Sequence, residues 1–278
     1  MITYPCAKIN LGLNVVARRD DGYHDLETVF YPVSLCDRLE IEERRSGEYP
    51  DDPCRLVTDG VSISGKLNDN LVVKAYNLLR TLHPDLPPVD IRLTKNIPSQ
   101  AGMGGGSADC AFTIKMLNYM FSLGLSTIDM QQLATRLGAD CAFFINPVPS
   151  YATGIGELLT PIDVKLSGYS ITIVKPPVMI STREAFARIV PHKPAACCKD
   201  IVARPVEEWK DLLANDFEQS ISDIHPEIGR IKQSLYSAGA VYAAMSGSGS
   251  TLFGIFRHQQ KNIENMFNGY FTATVQIP

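Results

Sequence analysis

The stretch Lys95-Asn-Ile-Pro-Ser-Gln-Ala-Gly-Met-Gly-Gly-Gly-Ser107 follows a strand-like run at residues 89–93 and precedes an apolar helical pattern. Four glycines fall within five residues, at Gly102, Gly104, Gly105 and Gly106. Glycine lacks a Cβ atom, so its backbone can approach a ligand closely and adopt positive φ angles. Consecutive N–H groups of such a loop converge on an anion, and the N-terminus of the next helix adds its dipole. The stretch therefore predicts a phosphate cradle. The alternative is a tight turn without a ligand, although a turn needs only one or two glycines.

The length and composition are those of a globular protein with a sizeable core. A chain of 278 residues is long enough for about two domains. Hydrophobic residues make up 45% and charged residues 20% of the chain. The net charge of −4 gives no indication of nucleic-acid binding, so an anionic ligand would be held by local positive groups. A change in composition near Pro161 predicts one domain at residues 1–160 and a second at residues 161–278.

The cellular compartment and the binding partners are predicted from patterns that the sequence lacks. It has no apolar run of the roughly 20 residues that a membrane helix needs, and its N-terminus has no signal-peptide pattern. The seven cysteines are an odd number and include no C-x-x-C pair, which favours reduced thiols. We expect a cytoplasmic protein that binds small molecules, no nucleic acid and no membrane, and that is a monomer or a weak homodimer.

The N-terminal segment alternates apolar and polar residues from Ala7 onward, which predicts a strand over residues 2–16. Lys8, Asn10, Gly12 and Asn14 share its polar face. For Asn14 we expect an ordinary solvated position, and for Lys8 and Asn10 the pattern leaves the choice open.

A charged turn at residues 18–22 then leads to Tyr23 and His24, before strand character resumes over residues 26–33. The turn can be ordinary hairpin chemistry. Equally, Tyr23 and His24 can form a stacking and hydrogen-bonding platform for a base.

One glycine motif looks like a nucleotide site and is rejected. Gly60-Val-Ser-Ile-Ser-Gly65-Lys66-Leu67 matches G-x-x-x-x-G-K, but the leucine lacks the hydroxyl that would hold Mg²⁺. No adequate strand is predicted before it, since residues 44–54 look like a charged surface loop. After it, Asn70 is predicted to cap a helix that carries apolar residues from Leu71 to Leu82.

The apolar pattern after the glycines predicts a helix over residues 108–123. Ser107 is then the expected N-cap, and Asp109 in the first turn complements the helix dipole. Both side chains could also reach a metal ion bound to a phosphate.

A single carboxylate, Asp140, lies among apolar residues in Ala139-Asp140-Cys141-Ala142-Phe143-Phe144-Ile145. It follows Gly138, which is predicted to end a helix over residues 128–137. Aspartate is rarely buried without a partner, so Asp140 is a catalytic candidate. The alternative is a helix cap before the turn at residues 141–145.

The second half of the chain predicts a hairpin at residues 151–157 and a strand at residues 169–174. Ser181 and Thr182 can cap a helix that contains Phe186. Residues 191–205 are expected to be irregular, and helices are predicted at 206–214 and 221–238, the latter broken early by Pro226. Strands at 240–245 and 251–256 flank a Ser/Gly turn, which is either a plain hairpin or a second segment suited to holding phosphates.

Three segments together resemble the GHMP kinases, a superfamily of small-molecule kinases. They are Pro5-Cys-Ala-Lys8-Ile-Asn-Leu, Pro98-Ser-Gln-Ala-Gly-Met-Gly-Gly-Gly-Ser107 and Met245-Ser-Gly-Ser-Gly-Ser-Thr251. The resemblance spans nearly the whole chain. It implies an α+β, two-domain GHMP kinase fold with mixed sheets, helices packed on one face, and an active-site cleft between an N-terminal ATP-binding domain and a C-terminal domain.

Within the family, Gly22-Tyr23-His24-x-Leu26-x-Thr28-Val29-Phe30 resembles members that use ATP to phosphorylate the 2-hydroxyl of a cytidine diphosphate-linked methylerythritol. Those members serve the non-mevalonate route to isoprenoids. Gly154-Ile-Gly156-Glu157 also resembles them.

The resemblance also implies roles for individual residues. Lys8 and Asp140 resemble a catalytic pair, in which Asp140 accepts the proton of the alcohol and Lys8 stabilises developing charge. Asn10 resembles a substrate contact. Tyr23, His24, Thr182 and Phe186 resemble a cytidine pocket in which the two rings sandwich the base. The expected ATP site contains Lys95, Pro98, Ser99, Gln100, Ala101, Gly102, Met103, Gly104, Gly105, Gly106, Ser107 and Ala108.

Two positions depart from the family pattern. Members usually have two hydroxyl residues after the glycines, whereas here Ala108 follows Ser107, so any protein contact to Mg²⁺ in this loop is expected from Ser107 alone. Cys6 replaces a more usual alanine or proline.

Two other functions remain as rivals: another GHMP kinase, of homoserine or mevalonate type, and a non-catalytic nucleotide-binding module. A dinucleotide oxidoreductase is disfavoured because the loop lacks the final glycine of G-x-G-x-x-G.

Overall fold

The structure, a computed structural model, describes residues 1–44, 52–63 and 65–278. The predicted loop at residues 44–54 lies largely outside these ranges. The strands are β1 (Ile2–Thr3), β2 (Cys6–Arg18), β3 (His24–Cys36), β4 (Arg38–Glu43), β5 (Cys54–Gly60), β6 (Val89–Lys95), β7 (Ser150–Thr153), β8 (Leu158–Pro161), β9 (Ser170–Lys175), β10 (Tyr242–Met245), β11 (Leu252–Phe256) and β12 (Phe271–Gln276). The α-helices are α1 (Leu71–Leu82), α2 (Gly105–Met120), α3 (Thr127–Thr135), α4 (Cys141–Ile145), α5 (Thr182–Phe186), α6 (Cys198–Val202), α7 (Asp216–Ile224) and α8 (Pro226–Ser237).

The chain divides into two compact units that interleave along the sequence. The first unit consists of Met1–Ala7, Leu35–Ser99 and Gly104–Pro147. The second unit consists of Lys8–Ser34, Gln100–Met103 and Val148–Pro278. The predicted domain boundary after residue 160 is a single cut in the chain, and it stays a prediction.

The first unit is built on a mixed sheet in the order β1-β4-β6-β5. Strand β6 pairs antiparallel with β4 and parallel with β5. Alternate residues of β6 are buried, as expected for a strand that packs one face against a core. Helices α1 to α4 belong to this unit, and Asn70 caps α1 by accepting the N–H of Val72, as predicted.

Strand β5 corrects one expectation. It runs into Gly60, so a strand does lead into the rejected motif at residues 60–67. The rejection rests instead on Leu67, which begins a short 3-10 turn, Leu67–Asp69, rather than an α-helix. The hydroxyl that a phosphate-binding loop of this type needs is therefore missing.

The second unit contains two four-stranded sheets, in the orders β2-β3-β7-β8 and β10-β11-β9-β12. In the second of these sheets, β9 pairs antiparallel with both β11 and β12. Its core includes Val174, Phe217, Leu235 and Met245, together with Leu13 from β2. Strand β12 was not predicted, although its residues alternate apolar and polar side chains as a strand does.

Two predictions in the second half need correction. Residues 206–214 form only a 3-10 turn, Val206–Glu208, and residues 191–205 contain the short helix α6. The predicted helical segment at 221–238 is broken at Pro226 into α7 and α8, as expected, although α7 begins earlier, at Asp216. Pro226 stands in the first turn of α8, where its missing N–H costs no intrahelical bond. No helix among the described residues has the length and apolar character to span a bilayer.

Candidate functional site

The glycine loop has the backbone conformation that its composition predicted. Gly102 has a φ of +73° and Gly104 a φ of +69°. Helix α2 starts at Gly105 with Gly104 as its N-cap, three residues earlier than predicted. Ser107 is therefore inside the first turn and is not the N-cap, and Asp109 lies beyond that turn. The glycines themselves form the start of the helix, so the N–H groups that lack an intrahelical partner come from the loop.

The first turn of α2 is packed on one side and open on the other. A Cβ atom on Gly105 would lie 2.8 Å from Ile97 Cγ2, whereas a Cβ on Gly106 would meet nothing within 4 Å. Gly106 is exposed. The first turn of α2 therefore has open space beside Gly106, next to backbone N–H groups that lack an intrahelical partner, and a phosphate cradle needs both features.

Several residues of the predicted ATP site have buried side chains, so only their backbone could face a ligand. The buried ones are Pro98, Ala101, Met103 and Ala108, whose side chains are turned into the protein. Ser99 is half-buried, and Gln100 is exposed with a φ of +49°.

Within the second unit, residues 100–103 lie against the Ser/Gly turn at residues 246–250. The Ser246 hydroxyl donates to the Gly102 carbonyl oxygen at 2.9 Å. A Cβ on Gly102 would lie 2.0 Å from the Ser246 carbonyl oxygen, so only glycine fits there. Asn215 Nδ2 holds the turn through the carbonyl oxygens of Met245 and Gly247. The Ser/Gly segment is therefore more than a plain hairpin, because it supports one end of the glycine loop.

Lys8 and Asn10 lie in a buried hydrogen-bonded chain on β2. Lys8 Nζ donates to Asn10 Oδ1 at 2.6 Å, and Asn10 Nδ2 donates to Thr28 Oγ1 at 2.9 Å. Thr28 donates in turn to the Gly12 carbonyl oxygen. Asn10 N–H is bound by the Ser246 hydroxyl at 3.2 Å. The Asn10 amide therefore orients the Lys8 ammonium, and its predicted role as a substrate contact stays a prediction.

The same face of β2 corrects the expectation for Asn14. Only 7% of Asn14 is exposed, although we predicted a solvated position. Its Nδ2 donates to Glu27 Oε1 at 3.1 Å and contacts the Cys198 sulfur. The polar face of the strand is covered by β3 and α6, so its polar groups pair with each other.

Lys95 is not available as a direct phosphate contact in this structure. Its side chain is 3% exposed, and its ammonium is hydrogen-bonded to Asp37 Oδ2 and, at 2.7 Å, to Asp109 Oδ2. Asp109 is likewise buried, so it cannot reach a metal ion at the loop as we suggested. The sequence did not identify Asp37 as a partner of Lys95. This residue lies in the connection between β3 and β4, and no sequence motif marks it.

Asp140 precedes α4 in the N-cap position, but its side chain makes no capping hydrogen bond. The capping alternative is therefore not supported.

The next residue, Cys141, lies beside the glycine loop: hydrogen bonds from the Cys110 thiol and the Ser107 hydroxyl lower the pKa of its thiol. A hydroxyl that donates its proton keeps oxygen lone pairs with which it could hold a cation.

The aromatic residues of the predicted cytidine pocket partly come together. The His24 and Phe186 rings stack directly, with centroids 4.6 Å apart and planes inclined by 22°. Phe186 also meets Phe217 edge-on. Tyr23 is 61% exposed, and Thr182 is exposed at the start of α5. Because the His24 ring covers a face of Phe186, a base can stack on that face only after the imidazole moves.

The described residues contain no group of three or more His, Cys, Asp or Glu side chains that could hold a metal ion.

Comparison with known proteins identifies the class. The family description "GHMP kinases N terminal domain" matches residues 70–147, and "GHMP kinases C terminal" matches residues 198–273. The chain belongs to the GHMP kinases, a family whose members use ATP, and it has their mixed α/β fold. The resemblance found in the sequence is confirmed.

Particular members of the family are similar over the full length. A Bacteroides fragilis protein named 4-diphosphocytidyl-2-C-methyl-D-erythritol kinase is 52% identical over 277 residues, with 100% of both chains covered. A Bacteroides thetaiotaomicron protein of the same name is 54% identical over 257 residues, covering 92% of each chain. A crystal structure of 4-(cytidine 5'-diphospho)-2C-methyl-D-erythritol kinase superposes with a TM-score of 0.83 at 27% identity, covering 100% of both chains. Homoserine kinase from Cytophaga hutchinsonii, at 15% identity and a TM-score of 0.73 over 99% of this chain and 94% of its own, shares the fold alone.

Proposed function

We propose that this chain is an ATP-dependent kinase that phosphorylates the 2-hydroxyl of 4-diphosphocytidyl-2-C-methyl-D-erythritol, in the non-mevalonate route to isoprenoid precursors. The observation that carries the proposal is the full-length match, at 52% identity, to a relative of that name. The glycine loop supports it, since phosphoryl transfer depends on positioning and charge stabilisation rather than on covalent chemistry with the protein.

In the proposed reaction, the N–H groups of residues 104–107 bind the phosphates of ATP. Asp140 accepts the proton of the substrate alcohol, and the Lys8 ammonium stabilises the charge that develops on the transferred group. Asn10 and Thr28 hold Lys8 in place through their hydrogen bonds, and Asn10 also contacts the substrate. Mg²⁺, when bound, would neutralise phosphate charge, and the Ser107 hydroxyl is the loop side chain that could hold it.

The cytidine moiety is the part of the substrate that distinguishes this reaction from those of other GHMP kinases. We propose that Tyr23, His24, Thr182 and Phe186 bind it, with the base entering where His24 now stacks on Phe186. A site that hydrogen-bonds a polar base edge discriminates against analogues that leave its own groups unpaired. The seven thiols, all unpaired, support a cytoplasmic location. The oligomeric state, a monomer or weak homodimer, stays a prediction.

The test is ATP turnover with the cytidine-linked substrate, compared between the wild type and Asp140→Asn. We expect a loss of kcat of roughly 10²–10⁴-fold, the range that a general base contributes, with an unchanged melting temperature. Retained turnover in the variant would remove Asp140 from the mechanism. Turnover of homoserine or mevalonate in preference to the cytidine-linked substrate would favour the first rival function. Nucleotide binding without turnover of any of the three would favour the second, a non-catalytic module.

A further inference from the structure

The sheet β10-β11-β9-β12 of the second unit ends in an edge strand on each side, and the two edges differ. An edge strand carries a row of backbone N–H and C=O groups that no neighbouring strand binds, so it can pair with a strand from another chain. All four residues of β10 are buried. In β12 the first five residues are half-buried and Gln276 is exposed. The β12 edge is therefore the more accessible of the two.

Side chains close the edge at β10. Ser246 N–H donates to the Thr251 carbonyl oxygen at 2.9 Å, and the register pairs Met245 with Leu252. Because hydrogen-bonded pairs alternate along an antiparallel ladder, Ala243 and Met245 direct their backbone groups away from β11. Side chains bind these outward groups: Glu218 accepts the Met245 N–H, Asn215 donates to the Met245 carbonyl oxygen, and Tyr236 donates to the Ala243 carbonyl oxygen.

The same alternation identifies the outward groups of β12. Ile277 N–H donates to the Tyr169 carbonyl oxygen at 2.9 Å, and the register of β12 with β9 leads directly up to this pair. Thr272, Thr274 and Gln276 therefore direct their N–H and C=O groups away from β9. Within the part of the chain that the structure describes, no protein group hydrogen-bonds to these backbone groups. The β12 edge is open where the β10 edge is closed.

Strand β12 also lacks the features that keep edge strands from pairing. Edges in natural proteins are protected by charged side chains, by proline or by a β-bulge. Residues 265–278 contain no Asp, Glu, Lys, Arg or His, and their one proline is Pro278, beyond the strand. The register with β9 is unbroken from Phe271 to Gln276, so no bulge interrupts it. The strand is thus available for pairing along its whole length.

A buried hydroxyl beside this edge, that of Thr272, has no hydrogen-bond partner among the described residues. Thr272 and Thr274 line a groove of about 560 Å³ together with residues of the 259–264 segment. The Thr274 hydroxyl is hydrogen-bonded to Thr172 Oγ1 at 3.0 Å, so the Thr272 hydroxyl is the one of the two that lacks a partner. Buried polar groups in native proteins nearly always have one. We therefore expect the acceptor for Thr272 to come from outside the chain.

A second copy of β12 would supply what this edge lacks. When two β12 strands run antiparallel about a two-fold axis at Thr274, Thr272 opposes Gln276 of the partner subunit. The outward residues then form hydrogen-bonded pairs, and each pair exchanges two backbone bonds. Directly opposed side chains lie on one face within reach of each other, so the carboxamide oxygen of the partner's Gln276 can accept the Thr272 hydroxyl. Within its own chain, Gln276 uses only Nε2, which donates to Gln259.

Charge favours a second copy over a foreign strand. A two-fold axis places every charge close to it opposite the same charge, and like charges directly opposed destabilise a strand pair. Strand β12 carries no charge, so self-pairing meets no such repulsion. The strand equally offers no charged group with which to select an acidic or a basic peptide.

We propose that β12 is the interface of a homodimer, in which it pairs antiparallel with β12 of a second copy about Thr274. Stable interfaces bury about 1,200–2,000 Å² in total, and a single strand pair buries less, so this dimer is weak and its population depends on concentration. No residue assigned to catalysis or to substrate binding lies on β12, so the dimer goes beyond the proposed function and does not depend on it.

The experiment is sedimentation velocity on the full chain from about 1 μM to 1 mM, for the wild type and two variants of the central residue. Thr274→Lys places two like charges at the axis. Thr274→Val is the matched control, because it loses the same hydrogen bond to Thr172 but adds no charge. We expect the wild type and Thr274→Val to shift from monomer to dimer over this range. The dissociation constant of Thr274→Lys should be at least about 10-fold higher.

Amide hydrogen exchange of the wild type locates the interface. Raising the protein concentration through the transition should slow exchange at Thr272, Thr274 and Gln276, whose N–H groups point outward. Exchange at Ala273 and Val275, whose N–H groups already bond to β9, should not change. This alternation distinguishes pairing of β12 strands from a contact made by side chains alone.

A wild type that stays monomeric up to about 1 mM would overturn the proposal. Dimerisation of Thr274→Lys as tight as that of Thr274→Val would also overturn it, because the dimer would then form elsewhere. If Thr274→Lys does not fold, the exchange pattern decides. Protection at alternate residues of β12 supports the pairing, and its absence at concentrations where dimers form refutes it.

Discussion

The buried hydroxyl of Thr28 helps to position the charged side chain of Lys8, through Asn10, which contacts both residues. It is 1% exposed, accepts the Asn10 amide at 2.9 Å, and donates to the Gly12 carbonyl oxygen. Asn10 then presents its oxygen to Lys8 at 2.6 Å. Removing the hydroxyl would leave two buried polar groups without a partner, at a cost of about 1–3 kcal/mol.

We predict that Thr28→Val lowers kcat on the order of 10-fold while the KM for ATP changes little, because Lys8 loses its fixed orientation. Thr28→Ser keeps the hydroxyl and serves as the matched control, with kcat restored close to the wild-type value. Steady-state kinetics on both variants, with melting temperatures, provide the measurement. Equal kcat for the valine and serine variants would show that the hydroxyl does not position Lys8.

At the level of elements, the glycine loop uses its glycines for different physical reasons. Gly102 combines a φ of +73° with an approach to the Ser246 carbonyl that no Cβ could share. Gly105 packs against Ile97, whereas Gly106 faces open space. Gly102 and Gly105 are needed for structural reasons, whereas the lack of a side chain at Gly106 leaves room for a ligand. Glycine composition alone does not distinguish these roles.

Gly102→Ala and Gly106→Ala are therefore predicted to have opposite effects on stability. Gly102→Ala should destabilise the fold by roughly 1–3 kcal/mol, through left-handed strain and the clash with Ser246. Gly106→Ala, inside a helix, should be neutral or stabilising by up to about 1 kcal/mol. Its methyl group would enter the space proposed for the phosphates, so ATP affinity should nevertheless fall by on the order of 10-fold.

Denaturant unfolding and ATP titration of the two variants test this pair. Unchanged ATP affinity in a well-folded Gly106→Ala protein would contradict the assignment of that space to phosphates. A Gly102→Ala protein as stable as the wild type would contradict the close approach to Ser246.

At the scale of the whole molecule, the two compact units do not follow the order of the chain. The core of the second unit joins Leu13 and Val15, from β2, to residues such as Phe217 and Leu235. Backbone contacts support the same connection: Leu13 N–H donates to the Ala214 carbonyl at 2.9 Å, and Val15 N–H donates to Asp216 Oδ2 at 2.7 Å. A cut after residue 160 separates these partners.

We predict that a fragment of residues 161–278 does not fold cooperatively by itself, because it lacks Leu13 and Val15 and their backbone bonds. It should bind a dye for exposed apolar surface and show poorly dispersed amide resonances, while the full chain, carrying the same tag, does neither. A fragment with dispersed resonances and a sharp unfolding transition would instead support the boundary predicted from composition.

The sequence by itself determined the family, the chemistry and most of the elements. The alternation along β2, the glycines before α2 and the cap at Asn70 are local patterns, and local backbone preferences follow them directly. Strand β5 was not predicted because its apolar pattern is weak, and helix α6 because it is only 5 residues long. The resemblance to GHMP kinases rested on three motifs, and their order along the chain can be recognised without knowing how the chain packs.

Tertiary structure alone decided which polar side chains are free to meet a ligand. Lys95 looked like a phosphate contact until two carboxylates, one of them 58 residues away in the chain, were found to hold its ammonium. Asn14 looked like a solvated position, and the pattern left Asn10 open, until β3 and α6 were found to cover this face of β2. Burial forces polar groups to pair, and the partners come from distant parts of the chain, so no local pattern reveals them.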